Sequence, residues 1–199
     1  MAELISKEEF AELMKIKGEI RGVGLKGDAE FIKMKKGDEA LKKLDEELAK
    51  MNSPIKYNEI KTMGFYPLNW DAVNLLLIQR LFNFTESEIK EMGGYLAKTS
   101  LILRLSMRYF VSLSRVAKET PKMWRKNYSV GDLSVAEFSE EKRYFLLRLK
   151  NFYYHPLHCL LLIGYFKSVV NMIVGKTVIC EERKCIFRGD SYHEFLLRW

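Results

Sequence analysis

The chain has 199 residues, 48% of them hydrophobic and 30% charged, which suits one folded domain with a substantial core and excludes a disordered or fibrous chain. Its formal charge of +7 is spread rather than gathered: Lys42 and Lys43, for example, are followed by Asp45, Glu46 and Glu47. A nucleic-acid binder concentrates basic residues on one face, so no nucleic-acid partner is expected.

In chain order, Ser6-x-x-Glu9 is a capping box, and Phe10, Leu13 and Met14 follow at helical spacing. A short helix over residues 1–17 is therefore expected, as an appendage or dimer arm, with the main domain over 18–199. Residues 19–27 read as a strand running into a glycine-rich turn, followed by helical residues 29–35 and a charged helix over 38–50. Asn52-Ser53-Pro54 ends that helix, because the residue before proline avoids the α region. Residues 55–60 alternate as a strand, 64–67 read as a turn, and 71–82 as an apolar helix. Thr85-x-x-Glu88 is a second capping box, opening a pattern through Ile89, Met92, Leu96, Leu101, Leu105 and Phe110 to Ala117. That stretch is expected to bend at Gly93-Gly94 or at Thr99-Ser100 and to end at Pro121.

Beyond Tyr128 the period changes to two. Leu133 and Val135, then Phe145, Leu147 and Leu149, predict adjacent strands joined through residues 139–142. Residues 156–172 read as a helix with proline in its first turn. Residues 177–182 and 192–197 read as a final strand pair around Gly189-Asp190. The predicted fold class is α+β: a small antiparallel sheet packed with several helices, in a single domain.

Three cysteines near the carboxyl end do not make a disulfide framework, and a reducing, cytoplasmic setting fits them better. The amino end lacks a basic segment followed by an apolar one, so no signal peptide is expected. The apolar runs 73–78 and 160–166 fall short of a membrane span.

Cys159, Glu182, Cys185 and His193 carry the atoms of a tetrahedral zinc site: two thiolates, a carboxylate and an imidazole. The spacing Glu-x2-Cys-x7-His lets a short loop at Gly189 bring His193 to Cys185, and Cys159 completes the set if its helix packs beside that loop. Four protein ligands would close the site, which makes the zinc structural rather than catalytic. The competing reading makes Cys159 a small buried hydrophobe, Cys185 an inert thiol and His193 a satisfied strand residue. Cys180 and Glu182 share a strand face, so Cys180 could stand in for Glu182.

Other motifs are weaker. Gly22-Val23-Gly24-Leu25-Lys26-Gly27 matches GxGxxG, but no strong strand precedes it and a charged helix and proline break follow. No serine elbow is present, so no catalytic residues are expected and the chain is read as a non-enzyme. Neither His155 nor His158 has the context of a haem axial ligand. The aromatics Trp70, Phe82, Tyr95, Tyr109, Phe110, Trp124, Phe145, Phe152, Tyr153 and Tyr165 are mostly core. A minority are expected to line an apolar pocket between the central helices and the sheet.

The order of elements, with Gly164-Tyr165, Gly175-Lys176, Cys180-Glu181-Glu182, Cys185, Gly189-Asp190 and His193-Glu194-Phe195, resembles the 4-vinyl-reductase-like small-molecule-binding domain. That domain is related to the haem nitric-oxide-binding-like and TRAPP-component folds, and the likeness runs from about Glu19 to Trp199. The resemblance implies a cytoplasmic sensor or ligand-binding domain, usually a homodimer, that signals to a protein partner. It also implies an enclosed pocket for a small apolar or aromatic ligand and, beside it, Zn2+. The implied zinc ligands are a helix cysteine, a glutamate, a cysteine three residues on and a further cysteine eight residues later. Cys159, Glu182 and Cys185 fall into that pattern, and His193 replaces the last cysteine. Two alternatives are kept: a reductase-type enzyme acting on a tetrapyrrole-like substrate, and a structural interaction module resembling a trafficking-complex subunit.

Overall fold

The computed structural model describes residues 4–53, 55–100 and 112–199. Pro54 and the expected helical residues Leu101, Leu105, Tyr109 and Phe110 lie outside the described residues. Seven α-helices and six strands are formed among those described, in the α+β arrangement expected. They are α1 (Lys7–Leu13), β1 (Glu19–Arg21), α2 (Val23–Lys36), α3 (Asp38–Lys50), β2 (Phe65–Pro67), α4 (Leu68–Leu81) and α5 (Glu86–Thr99). After these come α6 (Leu113–Arg125), β3 (Asp132–Ser139), β4 (Tyr144–Lys150), α7 (Pro156–Val174), β5 (Ile179–Lys184), a 3-10 turn (Ile186–Arg188) and β6 (His193–Arg198).

Local chemistry sets most helix starts. Ser6 Oγ accepts the Glu9 N–H at 3.2 Å. At α5 both halves of a capping box form: Thr85 Oγ1 accepts from Glu88 N at 3.3 Å, and Glu88 Oε2 accepts from Thr85 N at 2.9 Å. α5 ends at Thr99, with Ser100 extended, so the helix stops at the second of the two positions where a bend is expected. Gly93 and Gly94 serve a different purpose, because they let α5 lie directly against α7. A Cβ on Gly93 would sit 1.9 Å from the Leu161 carbonyl oxygen, and one on Gly164 would sit 1.7 Å from that of Lys90. This crossing is the most extensive helix contact in the fold.

β3, β4, β6 and β5 form one antiparallel sheet in that order. Its inner face presents Leu133, Phe145, Leu147, Leu149, Phe195 and Leu197, all buried, as the period-two pattern requires. Phe166 of α7 meets Phe195 edge to face, with centroids 5.2 Å apart. α7 is long and apolar enough, by length and composition alone, to cross a membrane, which the shorter apolar runs read from the sequence had hidden. Here it is the core helix, walled by α5 on one side and the sheet on the other. α1 lies on α4, where Arg80 donates to the Leu4 carbonyl at 2.7 Å and to Glu9 Oε1 at 2.7 Å.

Four local expectations are corrected. Residues 55–60 form turns rather than a strand, with Ile55, Tyr57 and Ile60 buried individually. The second small strand is instead 65–67, which pairs antiparallel with β1, Ile20 opposite Tyr66. The glycines of 22–27 are not a turn. Gly22 caps α2 and the others lie inside it, where their small size admits neighbours: a Cβ on Gly22 would lie 2.3 Å from the Lys61 carbonyl oxygen, and one on Gly27 2.3 Å from Leu96 Cδ2. Pro121 does not end its helix but sits inside α6, which leaves the Ala117 carbonyl without an intrahelical donor.

Candidate functional site

Pro156 opens α7 at its first position, and the His155 ring accepts the Leu157 N–H at 3.3 Å. Cys159 follows one turn later, buried and turned toward the end of the sheet. From there the loop between β5 and β6 folds back on itself. Asp190 Oδ2 accepts the Cys185 N–H at 2.8 Å, and Gly189 takes a left-handed conformation (φ +93°) that lets the chain reverse.

The structure therefore brings Cys159, Glu182, Cys185 and His193 together. One ligand-type atom from each lies within 4.8 Å of all the others. Cys159 Sγ is 3.8 Å from Cys185 Sγ and 3.7 Å from His193 Nδ1, and His193 Nδ1 is 3.2 Å from Glu182 Oε1. Cys180 shares the strand face of Glu182 as expected but stands outside the cluster. Arg188 donates to Glu182 Oε2 at 3.1 Å. Burial alone would raise the Glu182 carboxyl, but the hydrogen bond with His193 and the Arg188 charge outweigh it and hold it low. Burial pushes the Cys159 thiol far up, and the neighbouring Glu182 charge and Cys185 add to that. Both nitrogens of His193 face oxygen acceptors, Glu182 Oε1 and the Phe152 carbonyl, each at 3.2 Å. A ring with one proton satisfies only one of them, so the other contact is met either by a second ring proton or by a cation shared with Glu182.

Between α2, the end of α5, α6, α7 and the inner face of β3–β4 lies a cavity of about 280 Å³, none of whose lining residues belongs to the cluster. Val116, Leu133, Phe145, Leu162, Phe166 and Val170 form its apolar walls. Of the aromatics singled out from the sequence, Trp124, Phe145 and Tyr165 line it, whereas Tyr153 is 71% exposed. Tyr128 lines it as well, stacked on Trp124 with centroids 4.3 Å apart, its hydroxyl 3.2 Å from His158 Nε2.

A second polar group lies in the helical half, and sequence reasoning missed it. Asp28 of α2 and Asp71 and Asn74 of α4 are all buried. Asn74 Nδ2 donates to Asp28 Oδ2 at 2.9 Å, Tyr57 donates to Asn74 Oδ1, and Tyr154 donates to Asp71 Oδ2. The two carboxyls are close enough for the charge of one to disfavour charge on the other, and Asp28 Oδ1 has no donor among the described residues. Burial drives both up, Asp28 well above its usual range with the Asp71 charge adding to it, and Asp71 to about 6 against the Tyr154 hydrogen bond.

No protein-family model matches the sequence, and no curated protein does. Solved structures do match. An H-NOX protein from S. oneidensis in the Fe(II)NO ligation state superposes with a TM-score of 0.62 at 13% identity, over 90% of this chain and 98% of that one. An Fe(II) unliganded H-NOX protein from K. algicida gives 0.58 at 11%, over 90% and 96%. A structure from work on heme redox potential and porphyrin distortion gives 0.60 at 10%, over 90% and 100%. At these identities the shared property is the fold, which is H-NOX-like over most of the chain. The resemblance read from the sequence is thus supported at the level of the fold and not for the 4-vinyl-reductase-like family in particular.

The expectation of Zn2+ as cofactor is corrected by the same comparison, because the matched structures are described with ferrous iron or heme, and zinc is named in none of the three. A histidine-ligated haem does not fit the described residues. All three histidines are placed away from the cavity lining: His155 caps α7, His158 is buried against Tyr128, and His193 belongs to the thiol cluster. A cavity of about 280 Å³ also lies at the small end of the roughly 300–1,000 Å³ usual for ligand sites. No imidazole is presented to an iron there. The GxGxxG segment fails likewise as a dinucleotide turn, since it is helical and every strand pair among the described residues is antiparallel.

Proposed function

We propose that this chain is a non-enzymatic ligand-binding domain of the 4-vinyl-reductase-like kind, holding a small apolar or aromatic molecule between its helices and sheet and passing the bound state to a partner, as a homodimer. The observation that carries this is the apolar cavity itself, formed where α7 and the inner face of the sheet fail to close on each other. Solvent-lined apolar walls of this kind gain free energy when an apolar guest replaces water. The mechanism is population shift: a guest favours whichever packing of α2, α6 and α7 encloses it best.

Native mass spectrometry of freshly isolated protein is expected to show a small organic mass that is lost on unfolding. The Val169→Phe variant, which projects a ring into the cavity, is expected to lack it while keeping a normal melting temperature. An absent mass, together with no thermal shift across a panel of small aromatics, defeats the reading.

We propose further that Cys159, Glu182, Cys185 and His193 act as one metal-holding knot that ties α7 to the β5–β6 loop. Three donor separations are 3.2–3.8 Å and all lie within 4.8 Å, so one ion could draw the four donors together, and the Phe152 carbonyl at Nε2 orients the His193 ring so that Nδ1 faces the other three. Elemental analysis is expected to find one equivalent of metal in the purified protein and none in Cys185→Ala. A fully folded wild type free of any metal would refute this role.

A further inference from the structure

The polar side of the cavity says what kind of molecule it takes. His158 is buried and its Nδ1 has no hydrogen-bond partner among the described residues. Suppose the Tyr128 hydroxyl donated to Nε2. The ring proton would then sit on Nδ1 as a buried N–H with no acceptor, and orphaned buried N–H groups are rare and costly. With the proton on Nε2 instead, the ring donates to the Tyr128 oxygen, and the same holds if both nitrogens are protonated. In each case the Tyr128 O–H is released from His158, and no other acceptor for it is formed among the described residues. Tyr128 lines the cavity.

A second phenol stands near. Tyr165, one turn beyond Leu161 on α7, also lines the cavity, and its hydroxyl has no hydrogen-bond partner among the described residues. The two phenols face the same cavity from different elements, Tyr128 from the segment after α6 and Tyr165 from α7. Burial pushes Tyr165 up to about 12 and Tyr128 well above its usual range, so both stay protonated donors at physiological pH. The charged residues at the rim do not ask for an ionic guest. Lys26 and Glu30 are one turn apart with opposite signs, and the Arg21 guanidinium already donates to the Lys126 and Met63 carbonyls.

We infer that Tyr128 and Tyr165 are a paired hydrogen-bond donor for the ligand, which is a compact, uncharged apolar molecule bearing a carbonyl oxygen, of the cyclic or aromatic ketone class. This rests on the cavity being the ligand site proposed above. A site built around unmatched donors rejects an analogue that lacks the acceptor much more strongly than it rejects a change of one methylene.

The test compares three probes of nearly the same shape, indane, 1-indanone and 1-indanol, by isothermal titration on the full chain. The ketone is expected to bind about tenfold more tightly than the hydrocarbon, the worth of one good hydrogen bond. Tyr165→Phe and Tyr128→Phe should each reduce that preference, read as the ratio of the ketone and hydrocarbon affinities within each variant. Equal binding of indane and 1-indanone, or a preference that survives both variants, overturns the inference and leaves the cavity reading standing. A preference for 1-indanol that the ketone does not share overturns it too, since that marks an acceptor rather than a donor. If none of the three binds, the ketone class is refuted, and the mass measurement described above decides separately whether the cavity holds any guest.

Discussion

Gly164→Ala is expected to destabilise the protein by about 3–5 kcal/mol, a large share of the roughly 5–15 kcal/mol that holds a domain together. The added methyl carbon would lie 1.7 Å from the Lys90 carbonyl oxygen, and the obstacle is backbone rather than the end of a flexible side chain. The Gly93 crossing a turn away is equally tight, 1.9 Å from the Leu161 oxygen, so α5 cannot tilt to make room. The helices would have to separate by on the order of 1.5 Å along the best-packed seam of the fold, and close-packed interiors absorb such shifts poorly. Gly24→Ala is the control. Its methyl would meet only the Ile20 Cδ1 terminus, at 3.0 Å, and alanine is favoured over glycine within a helix by up to about 1 kcal/mol. Urea unfolding of the two variants measures the difference, and a Gly164→Ala midpoint close to that of Gly24→Ala would contradict the account.

The second large effect has the opposite sign. Asp28→Asn is expected to stabilise the protein at neutral and alkaline pH. Asp28 and Asp71 hold their protons to higher pH in the folded chain than in the unfolded one, because both are buried and face each other. Above the ordinary carboxyl range the native state therefore binds more protons than the unfolded state, and stability falls as pH rises from about 4 through about 6 and beyond. Below about 4 both states are protonated and the dependence vanishes. An asparagine keeps the shape and can donate to Asp71 without ionising, so the variant should gain on the order of 1–3 kcal/mol near pH 8 and show a flatter profile. Denaturant unfolding between about pH 4 and 8 reads this directly. A variant that is less stable at high pH with the wild-type slope would show that the pair carries its charge at little cost.

Much of the architecture was legible because it rests on local chemistry. The capping hydroxyls of Ser6 and Thr85, the proline opening α7 and the period-two runs of β3 and β4 each specify their element without distant help. The convergence of Cys159 with Glu182, Cys185 and His193 was legible from spacing, since Gly189-Asp190 sets the loop that returns the chain. What failed depended on partners. Residues 55–60 alternate, but no neighbouring strand is offered to them, whereas the three-residue β2 forms because β1 lies alongside. The glycines of 22–27 signalled a turn, while their use is to admit the Lys61 carbonyl and Leu96 against a helix. Cofactor identity failed for another reason: thiols and an imidazole describe a metal's coordination, not the larger family in which the fold is found. The Asp28–Asp71 pair left a faint trace, the polar residues Asp71 and Asn74 within the otherwise apolar stretch 70–78 of α4. Such a stretch is buried all round, so its polar members must find each other or another buried partner.

α7 carries a final consequence. A single rod of nineteen residues presents Cys159 to the thiol cluster at its start and Leu162, Tyr165, Phe166 and Val170 to the cavity along its length. Any setting of that rod is common to both places, so the thermodynamics of the two are reciprocal. If the cavity takes a guest and the cluster an ion, as proposed, a guest that prefers one setting would alter the affinity of the cluster for the ion by a given factor, and the ion would alter the affinity for the guest by that same factor.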